Sequence, residues 1–249
     1  MKLLWKICLH SSLLGVLIFN LSCSKGSDRK TESMRVFVFT KTGGYVHESI
    51  PDGVQAIKKL GQENNFEVTV SDDSLRFTKS ELKKYNVVVF LNNSGKILGD
   101  SGRENLKQFI RRGGGFVGVH GASTCETDWP WYGQLVGARF KDHPVLQQGT
   151  VKVIDKSHLS TKHLPDEWVR EDEWYNFYPD ISQNIHVLAI MDESSYEGGT
   201  NGPDHPFSWY QEFEGGRSWY TAGGHKKEHY QDSLFVKHIL GGILYAAGK

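Results

Sequence analysis

The sequence predicts an α/β domain with a mostly parallel sheet that is covered by helices on both faces. From residue 34 onward, short apolar runs alternate with segments whose apolar residues recur with the period of a helix. The apolar runs are nearly continuous, which is typical of strands buried on both sides in a parallel sheet. The 249 residues contain no internal repeat and no second domain boundary, so we expect one doubly wound domain.

Strands and helices are predicted in strict alternation over the first half of this domain. The predicted strands are residues 35–40, 66–70, 87–91 and 115–119. The predicted helices are residues 51–64, 78–84 and 100–111. Thr78 and Glu81 have the spacing of a capping box, and three glycines at 113–115 end the third helix. Parallel strands need such crossover connections, which are right-handed and place helices on the faces of the sheet.

The second half of the domain begins with a large aromatic-rich insertion, Trp129–Asp180. Further strands are predicted at residues 185–191, 207–213 and 218–222, and a closing helix at 232–247. We therefore expect the insertion to lie between two parts of one sheet.

Composition and charge exclude several classes of protein. The chain carries 29 basic and 29 acidic side chains, so it has no excess positive charge and no nucleic-acid partner is expected. With 38% apolar and 23% charged residues, it is neither a disordered chain nor a coiled coil. The three cysteines, at positions 8, 23 and 125, are too few for a disulfide framework.

The first 22 residues have the pattern of an export signal. Lys2 and Lys6 precede an apolar run at 13–19 that is too short to span a bilayer. The run ends in Leu21–Ser22–Cys23 and a polar stretch, which resembles a bacterial lipoprotein signal. In such signals the cysteine is acylated and becomes the mature N-terminus, and its acyl chains anchor the protein to a membrane.

We therefore expect a signal peptide at 1–22, a lipid anchor on Cys23, a tether over 23–33 and the folded domain at 34–249. This organisation predicts a protein anchored in the bacterial cell envelope, on the periplasmic face or at the outer membrane. The alternative is an ordinary cleaved signal followed by an incidental cysteine.

Three histidines are predicted to meet at one edge of the sheet. His47 follows the first strand, His120 the fourth, and His225 the strand predicted at 218–222. Open α/β sheets bind ligands at the carboxyl ends of their strands, and imidazole serves there as acid, base or metal ligand. We therefore expect a catalytic site. Neither an HExxH motif nor paired cysteines are present, so no metal or cofactor is predicted.

The insertion and the segment at 204–209 combine carboxylates, histidines and aromatic rings. Rings stack on the C–H faces of sugars, while carboxylates bind hydroxyl groups. We expect Glu173 to join the catalytic histidines. The predicted substrate-binding residues are Glu48, Asp128, Trp129, Tyr132, Trp174, Tyr175, His205 and Trp209. The alternative is that the rings pack the insertion against the sheet.

Five motifs, in order along the chain, resemble the ThuA-like family, whose name comes from trehalose utilisation. They are GGGFVGVHGAS at 113–123, DWPWYG at 128–133, DEWYNF at 172–177, DHPFSW at 204–209 and GRSWYTAGGH at 216–225. The resemblance extends over residues 34–249. It implies a flavodoxin-like three-layer sandwich, similar to class I glutamine amidotransferases.

The same resemblance argues against glutamine hydrolysis. A class I glutamine amidotransferase carries a nucleophilic cysteine at a strand-to-helix elbow and a His-x-Glu motif after a late strand. Here the elbow carries His120, and Glu228 lies one residue too far beyond His225. Cys125 lies five residues past the elbow, so we expect no thiolate nucleophile and a pocket with different chemistry.

The resemblance implies a role in carbohydrate utilisation. ThuA-like proteins are associated with disaccharide metabolism through 3-keto-glycosides, alongside separate sugar oxidoreductases that form the keto group. The C–H beside that group is acidic, so a base can promote elimination of the glycosidic oxygen without a cofactor. We expect a small sugar ligand, an oxidoreductase of the same pathway as functional partner, and His120 and His225 as proton carriers. A non-catalytic carbohydrate-binding or accessory protein and a metal-dependent hydrolase are the alternatives.

Overall fold

A computed structural model describes residues 33–249 of the protein. The predicted signal peptide, Cys23 and the tether up to residue 32 lie outside the described residues. Within residues 33–249, no helix is long and apolar enough to cross a membrane.

The described chain contains eleven strands and five α-helices, numbered here in chain order. The strands are β1 (Met34–Phe39), β2 (Phe66–Ser71), β3 (Val87–Leu91), β4 (Gly115–Val119), β5 (Phe140–Asp142), β6 (Gln147–Val153), β7 (Glu167–Asp172), β8 (Asn176–Phe177), β9 (His186–Asp192), β10 (Pro206–Phe213) and β11 (Gly216–Thr221). The helices are α1 (Ile50–Glu63), α2 (Lys79–Leu82), α3 (Asp100–Arg111), α4 (Pro130–Val136) and α5 (Ser233–Ala246).

Nine strands form one mixed sheet in the order β2-β1-β3-β4-β11-β10-β9-β6-β7. The first five of these are parallel, and their order is that of a flavodoxin-like sheet. The last four pair antiparallel with their neighbours, while β5 and β8 form a separate two-stranded sheet. The predicted α/β class with a large central sheet is therefore confirmed.

Helices cover both faces of the sheet, as the neighbouring residues of β11 show. Successive residues of a strand point to opposite faces. Trp219 packs against Gly242 of α5, whereas Ser218 donates a hydrogen bond to the carbonyl oxygen of Leu135 in α4 at 2.6 Å. Helices α5 and α4 therefore lie on opposite faces, which makes three layers.

The central strands are buried because every residue in them is enclosed by a helix layer. All residues of β3 and β4 are buried, and they read as continuous apolar runs interrupted only by glycine. This is the pattern from which the sequence predicted them. The seven predicted strands agree with observed ones to within two residues at each end.

The insertion differs most from the sequence prediction. It contains helix α4 and four strands, of which β6 and β7 extend the main sheet beyond β9. In β7, exposed and buried residues alternate, because this strand lies at the sheet edge with one face in solvent. The insertion is therefore part of the sheet as well as a covering segment.

The second helix is shorter than predicted. Thr78 caps it, accepting a hydrogen bond from the backbone N–H of Glu81 at 3.2 Å. The side chain of Glu81 pairs instead with Arg76, Lys84 and Tyr85, so the reciprocal half of the predicted capping box is replaced by ion pairing.

Candidate functional site

Four side chains from four separate loops meet near the carboxyl ends of the parallel strands. His47 follows β1, His120 follows β4, His225 follows β11, and Glu173 directly follows β7. One imidazole nitrogen or carboxylate oxygen of each lies within 4.8 Å of those of the other three. We call these four residues the His/Glu cluster. They are the four residues that the sequence predicts as catalytic.

His120 occupies a strained turn directly after β4. Its φ angle is +46°, and the chain turns there from strand into a 3-10 helix, His120–Thr124. Such an elbow fixes the direction of the side chain. The His120 ring is fully buried and stacks on Tyr175, with ring centroids 4.1 Å apart.

The hydrogen bonding of His120 determines which nitrogen carries its proton. Nδ1 lies 2.6 Å from the carbonyl oxygen of Ala222, and because a carbonyl only accepts, Nδ1 must donate. In the neutral ring, Nε2 then carries a lone pair. Nε2 lies 3.3 Å from Oε2 of Glu173, so a nitrogen lone pair faces a carboxylate oxygen.

Glu173 is the centre of the cluster. Its Oε2 lies 3.3 Å from His120 Nε2 and 3.3 Å from His225 Nδ1, and its Oε1 lies 3.3 Å from Nε2 of His143. Burial alone would raise the pKa of Glu173, but the adjacent His120 and His225 rings outweigh burial and hold the pKa well below its usual range. The group is therefore a carboxylate at neutral pH.

The other two histidines differ in protonation. Burial, together with the nearby His120 and His225, lowers the pKa of His47 to about 3, so His47 is neutral. The adjacent Glu173 carboxylate raises the pKa of His225, which holds its proton to higher pH than a free histidine does. The cluster thus combines a carboxylate, a neutral imidazole and a proton-retaining imidazole.

A cavity of about 560 Å³ opens beside the cluster. This volume lies within the range of sites for small molecules. Ring surfaces and small residues line it: Gly44, Tyr45, His47, Ser94, Gly95, Thr124, Phe140, His143, Glu173, Tyr175 and His225. The cavity therefore offers both apolar faces and the carboxylate of Glu173 to a ligand.

A buried ion pair supports two of the cluster loops. The Asp172 carboxylate accepts hydrogen bonds from the backbone N–H groups of Glu173 (2.9 Å), Gly224 (3.1 Å) and His225 (3.3 Å), and from Nη2 of Arg170 (3.0 Å). Burial would raise the pKa of Asp172, but the adjacent Arg170 keeps it lowered. One carboxylate thus holds the loops of Glu173 and His225 together.

Four of the predicted substrate-binding rings lie in the core. Trp129, Tyr132, Trp174 and Trp209 are at most 8% exposed, and none of them lines the cavity. Tyr132 Oη donates to the carbonyl of Ala122, and Trp174 and Trp209 also donate to carbonyls. These rings therefore pack the insertion against the sheet, as the alternative interpretation holds, and present no face to a sugar.

The remaining predicted residues occupy varied positions. Tyr175 lines the cavity, and Nε2 of His205 donates to the Tyr175 carbonyl oxygen at 2.8 Å from a fully buried position. Asp128 pairs with Lys96 and Arg103 instead of facing the cavity. Glu48 lies in a neighbouring depression that also includes His225.

Sequence reasoning missed several groups around the cavity. His143 and Phe140 lie in the insertion, and Tyr45 follows the first strand, yet none of them was predicted to bind a ligand. Arg170 gave no signal, because a charged residue in an alternating strand is ordinarily exposed. Cys125 is buried, and burial raises the pKa of its thiol, so no thiolate is available.

Comparison with known proteins agrees with this architecture. A family model described as trehalose utilisation (ThuA) matches residues 35–246. A ThuA-like protein from Bacteroides uniformis is 24% identical, with a TM-score of 0.73 over 86% of this chain and 91% of that chain. A ThuA-like protein from Parabacteroides merdae is 18% identical, with a TM-score of 0.70 over 88% and 91%.

A third solved structure is similar in fold alone. It is a GMP synthase subunit from Thermoplasma acidophilum, 13% identical, with a TM-score of 0.52 over 86% of this chain and 96% of that chain. Comparison with curated protein sequences found no match.

Proposed function

The chain belongs to the ThuA family, described as trehalose utilisation, and from this premise we propose that it is an enzyme acting on a disaccharide or 3-keto-glycoside. The observation that carries the proposal is the convergence of Glu173 with three histidines beside a cavity of sugar size. A catalytic carboxylate among imidazoles is the equipment of proton-transfer chemistry.

The proposed reaction is elimination next to a keto group. A base removes the proton from C2 of a 3-keto-glycoside, and the electron pair forms the C1–C2 double bond. The glycosidic C1–O bond breaks, and the leaving oxygen takes a proton from an acid. This sequence needs a base, an acid and a group that stabilises the negative charge on the keto oxygen.

Glu173 is the best placed base, because it lines the cavity and is ionised. His120, which the sequence analysis favoured as a proton carrier, is fully buried and does not line the cavity. His143 lines the cavity with Nε2 3.3 Å from Glu173 Oε1, so we assign it the proton donation to the leaving oxygen. The imidazole side of the cluster then faces the keto oxygen, and the exposed ring of Tyr45 provides a stacking surface.

The test is a comparison of trehalose with its 3-keto form. We expect the purified protein to cleave the keto form and not the unoxidised sugar. Glu173→Gln should lower kcat by about 10²–10⁴-fold, since it removes the base. Glu171→Gln, whose carboxylate pairs with Lys226 outside the cavity, serves as the control and should keep its activity.

Thermal unfolding with the same sugars distinguishes the remaining outcomes. Stabilisation by a sugar without turnover would support a carbohydrate-binding or accessory protein instead of an enzyme. If the protein shows neither stabilisation nor turnover with any keto-sugar, the carbohydrate proposal is wrong.

We also propose that Cys23 carries a lipid anchor and that a sugar oxidoreductase supplies the keto-sugar in the same pathway. The order of basic residues, apolar run and cysteine in the first 23 residues supports the anchor. In a bacterial host, the wild-type protein should sediment with membranes and Cys23→Ser should not. A soluble wild-type protein with an unmodified cysteine would contradict this proposal.

A further inference from the structure

We infer that the His/Glu cluster is a binding site for a divalent transition metal, with Zn²⁺ as the first ion to test. The ligands are imidazole nitrogens of His47, His120 and His225 and one carboxylate oxygen of Glu173. The inference rests on the proposed function only for the role of the metal, which is to stabilise the negative charge on the keto oxygen. Binding itself can be measured without any substrate.

The distances between the ligand atoms fit such an ion. Around a tetrahedral zinc with bonds of roughly 2.0–2.1 Å, neighbouring ligand atoms lie about 3.3 Å apart. Oε2 of Glu173 lies 3.3 Å from His120 Nε2 and 3.3 Å from His225 Nδ1. All four ligand atoms lie within 4.8 Å of one another, so small side-chain rotations bring the widest pairs to bonding distance.

The cluster also contains buried nitrogens that lack partners within the described residues. His47 Nδ1, His120 Nε2 and His225 Nδ1 have no hydrogen-bond partner there. Buried polar atoms in native proteins are nearly always paired, so each of these requires an explanation. A proton between His120 and Glu173 would satisfy only that pair, whereas one metal ion satisfies all three nitrogens and the carboxylate.

The surroundings hold the histidines as metal-ligating histidines are held. The second nitrogen of His120 donates to the Ala222 carbonyl, which leaves Nε2 free for the metal. His47 is tied to the backbone of Asn92. Asp172 fixes the backbone at Glu173 and His225. The ligand positions are therefore set by the fold before an ion arrives.

Glu173 can serve both the metal and the reaction because its two oxygens face different groups. Oε2 faces His120 and His225, and Oε1 faces His143. One oxygen can thus bind the ion while the other accepts the substrate proton. A metal at this position would polarise a carbonyl oxygen of the ligand, and its vicinal hydroxyl can bind the same ion. The ligand class is therefore an α-hydroxy ketone, as in a 3-keto sugar.

Calorimetric titration of the full-length protein in detergent, after removal of metal with a chelator, tests the inference. We expect one Zn²⁺ per chain, with Mg²⁺ binding much more weakly because imidazole ligands disfavour it. His47→Ala and His225→Ala should each weaken Zn²⁺ binding by at least about 10-fold, as losses at metal sites do. His186→Ala is the matched control, because its ring stacks on Tyr210 and is not in the cluster.

Each outcome decides one proposal. Absence of saturable Zn²⁺ binding by the folded wild-type protein, or unchanged binding in a folded His47→Ala/His225→Ala variant, would overturn the metal site. Circular dichroism shows whether each variant is folded. Sugar cleavage that persists in excess chelator would leave the proposed function standing without the metal. Zn²⁺ binding without cleavage would keep the metal site and reject the substrate.

Discussion

At the scale of single residues, His120 shows how one substitution changes the chemistry of an elbow while the backbone keeps its shape. The residue adopts a φ of +46° after β4, the position at which a nucleophile elbow presents its reactive side chain. Gly121 follows because a Cβ there would lie 2.7 Å from the Asn93 carbonyl oxygen. An imidazole in place of a thiol gives this position a ligand or a proton acceptor instead of a nucleophile.

The sequence located the histidines and Glu173 but not the residues that hold them. Each histidine follows a recognisable strand, and strand ends meet at one edge. Burial of a charge has no local pattern, so Arg170 and Asp172 could not be identified as a pair from spacing alone. The same limitation explains Trp174 and Trp209, because an aromatic residue reads alike in the sequence whether it faces a cavity or the core.

Removal of one partner of the buried Arg170–Asp172 pair should be strongly destabilising. Asp172→Asn leaves the buried Arg170 guanidinium without a counter-charge, which typically costs about 3–5 kcal/mol. Urea unfolding measures the loss. The double variant Arg170→Met/Asp172→Asn should regain part of the stability, since no charge is left unpaired, while activity stays low because the Glu173 and His225 loops lose their common acceptor. A double variant less stable than Asp172→Asn by the full cost of each change would contradict this coupling.

At the scale of elements, strands buried on both faces were predicted and strands at the far edge were not. Continuous apolar runs such as Val87–Leu91 have few other interpretations. In β6 and β7, polar residues face solvent on one side, and the insertion's aromatic residues drew attention to binding instead of pairing. Tertiary pairing with β9 decides the structure of β6, and pairing of that kind is not visible in a local sequence pattern.

Two glycines inside helices should respond in opposite ways to alanine. A Cβ at Gly242 of α5 would lie 2.4 Å from the Trp219 ring, which is fully buried and bonded through Nε1 to Ser160. Gly242→Ala should therefore cost about 1–3 kcal/mol by overpacking. Gly102→Ala in α3 is the control: its Cβ would meet Phe77 at 3.4 Å, and helix propensity can add up to about 1 kcal/mol. Thermal unfolding separates the two, and a stable Gly242→Ala variant would show that α5 is not held closely against β11.

At the scale of the whole molecule, the strand order brings the functional loops together. The spatial order β1-β3-β4-β11 places the loops of His47, His120 and His225 side by side, although they are far apart in the chain. Asn92, after β3, donates from Nδ2 to the Gly224 carbonyl oxygen at 3.1 Å and so ties the middle strand to the His225 loop. Parallel β-topology therefore builds the cluster, and the antiparallel extension adds Glu173 from the other half of the sheet.

The same burial that isolates histidines from water predicts loss of stability in acid. His238, fully buried between α5 and the sheet, has a pKa lowered to about 3 by burial, while in the unfolded chain the pKa is near 6.5. Below pH 6.5 the unfolded chain binds a proton that the folded chain does not, so stability falls as the pH drops from about 6.5 towards 3. At pH 5 this one group should cost about 2 kcal/mol relative to pH 7.5. Urea unfolding in chelator at both pH values measures the cost, and His238→Asn should reduce the pH-dependent loss by that amount even if the variant is less stable throughout. His163, Arg170 and His158 add positive charge near the ring and push its pKa in the same direction. Equal pH dependence of the wild type and the variant would mean that His238 is protonated in the folded protein.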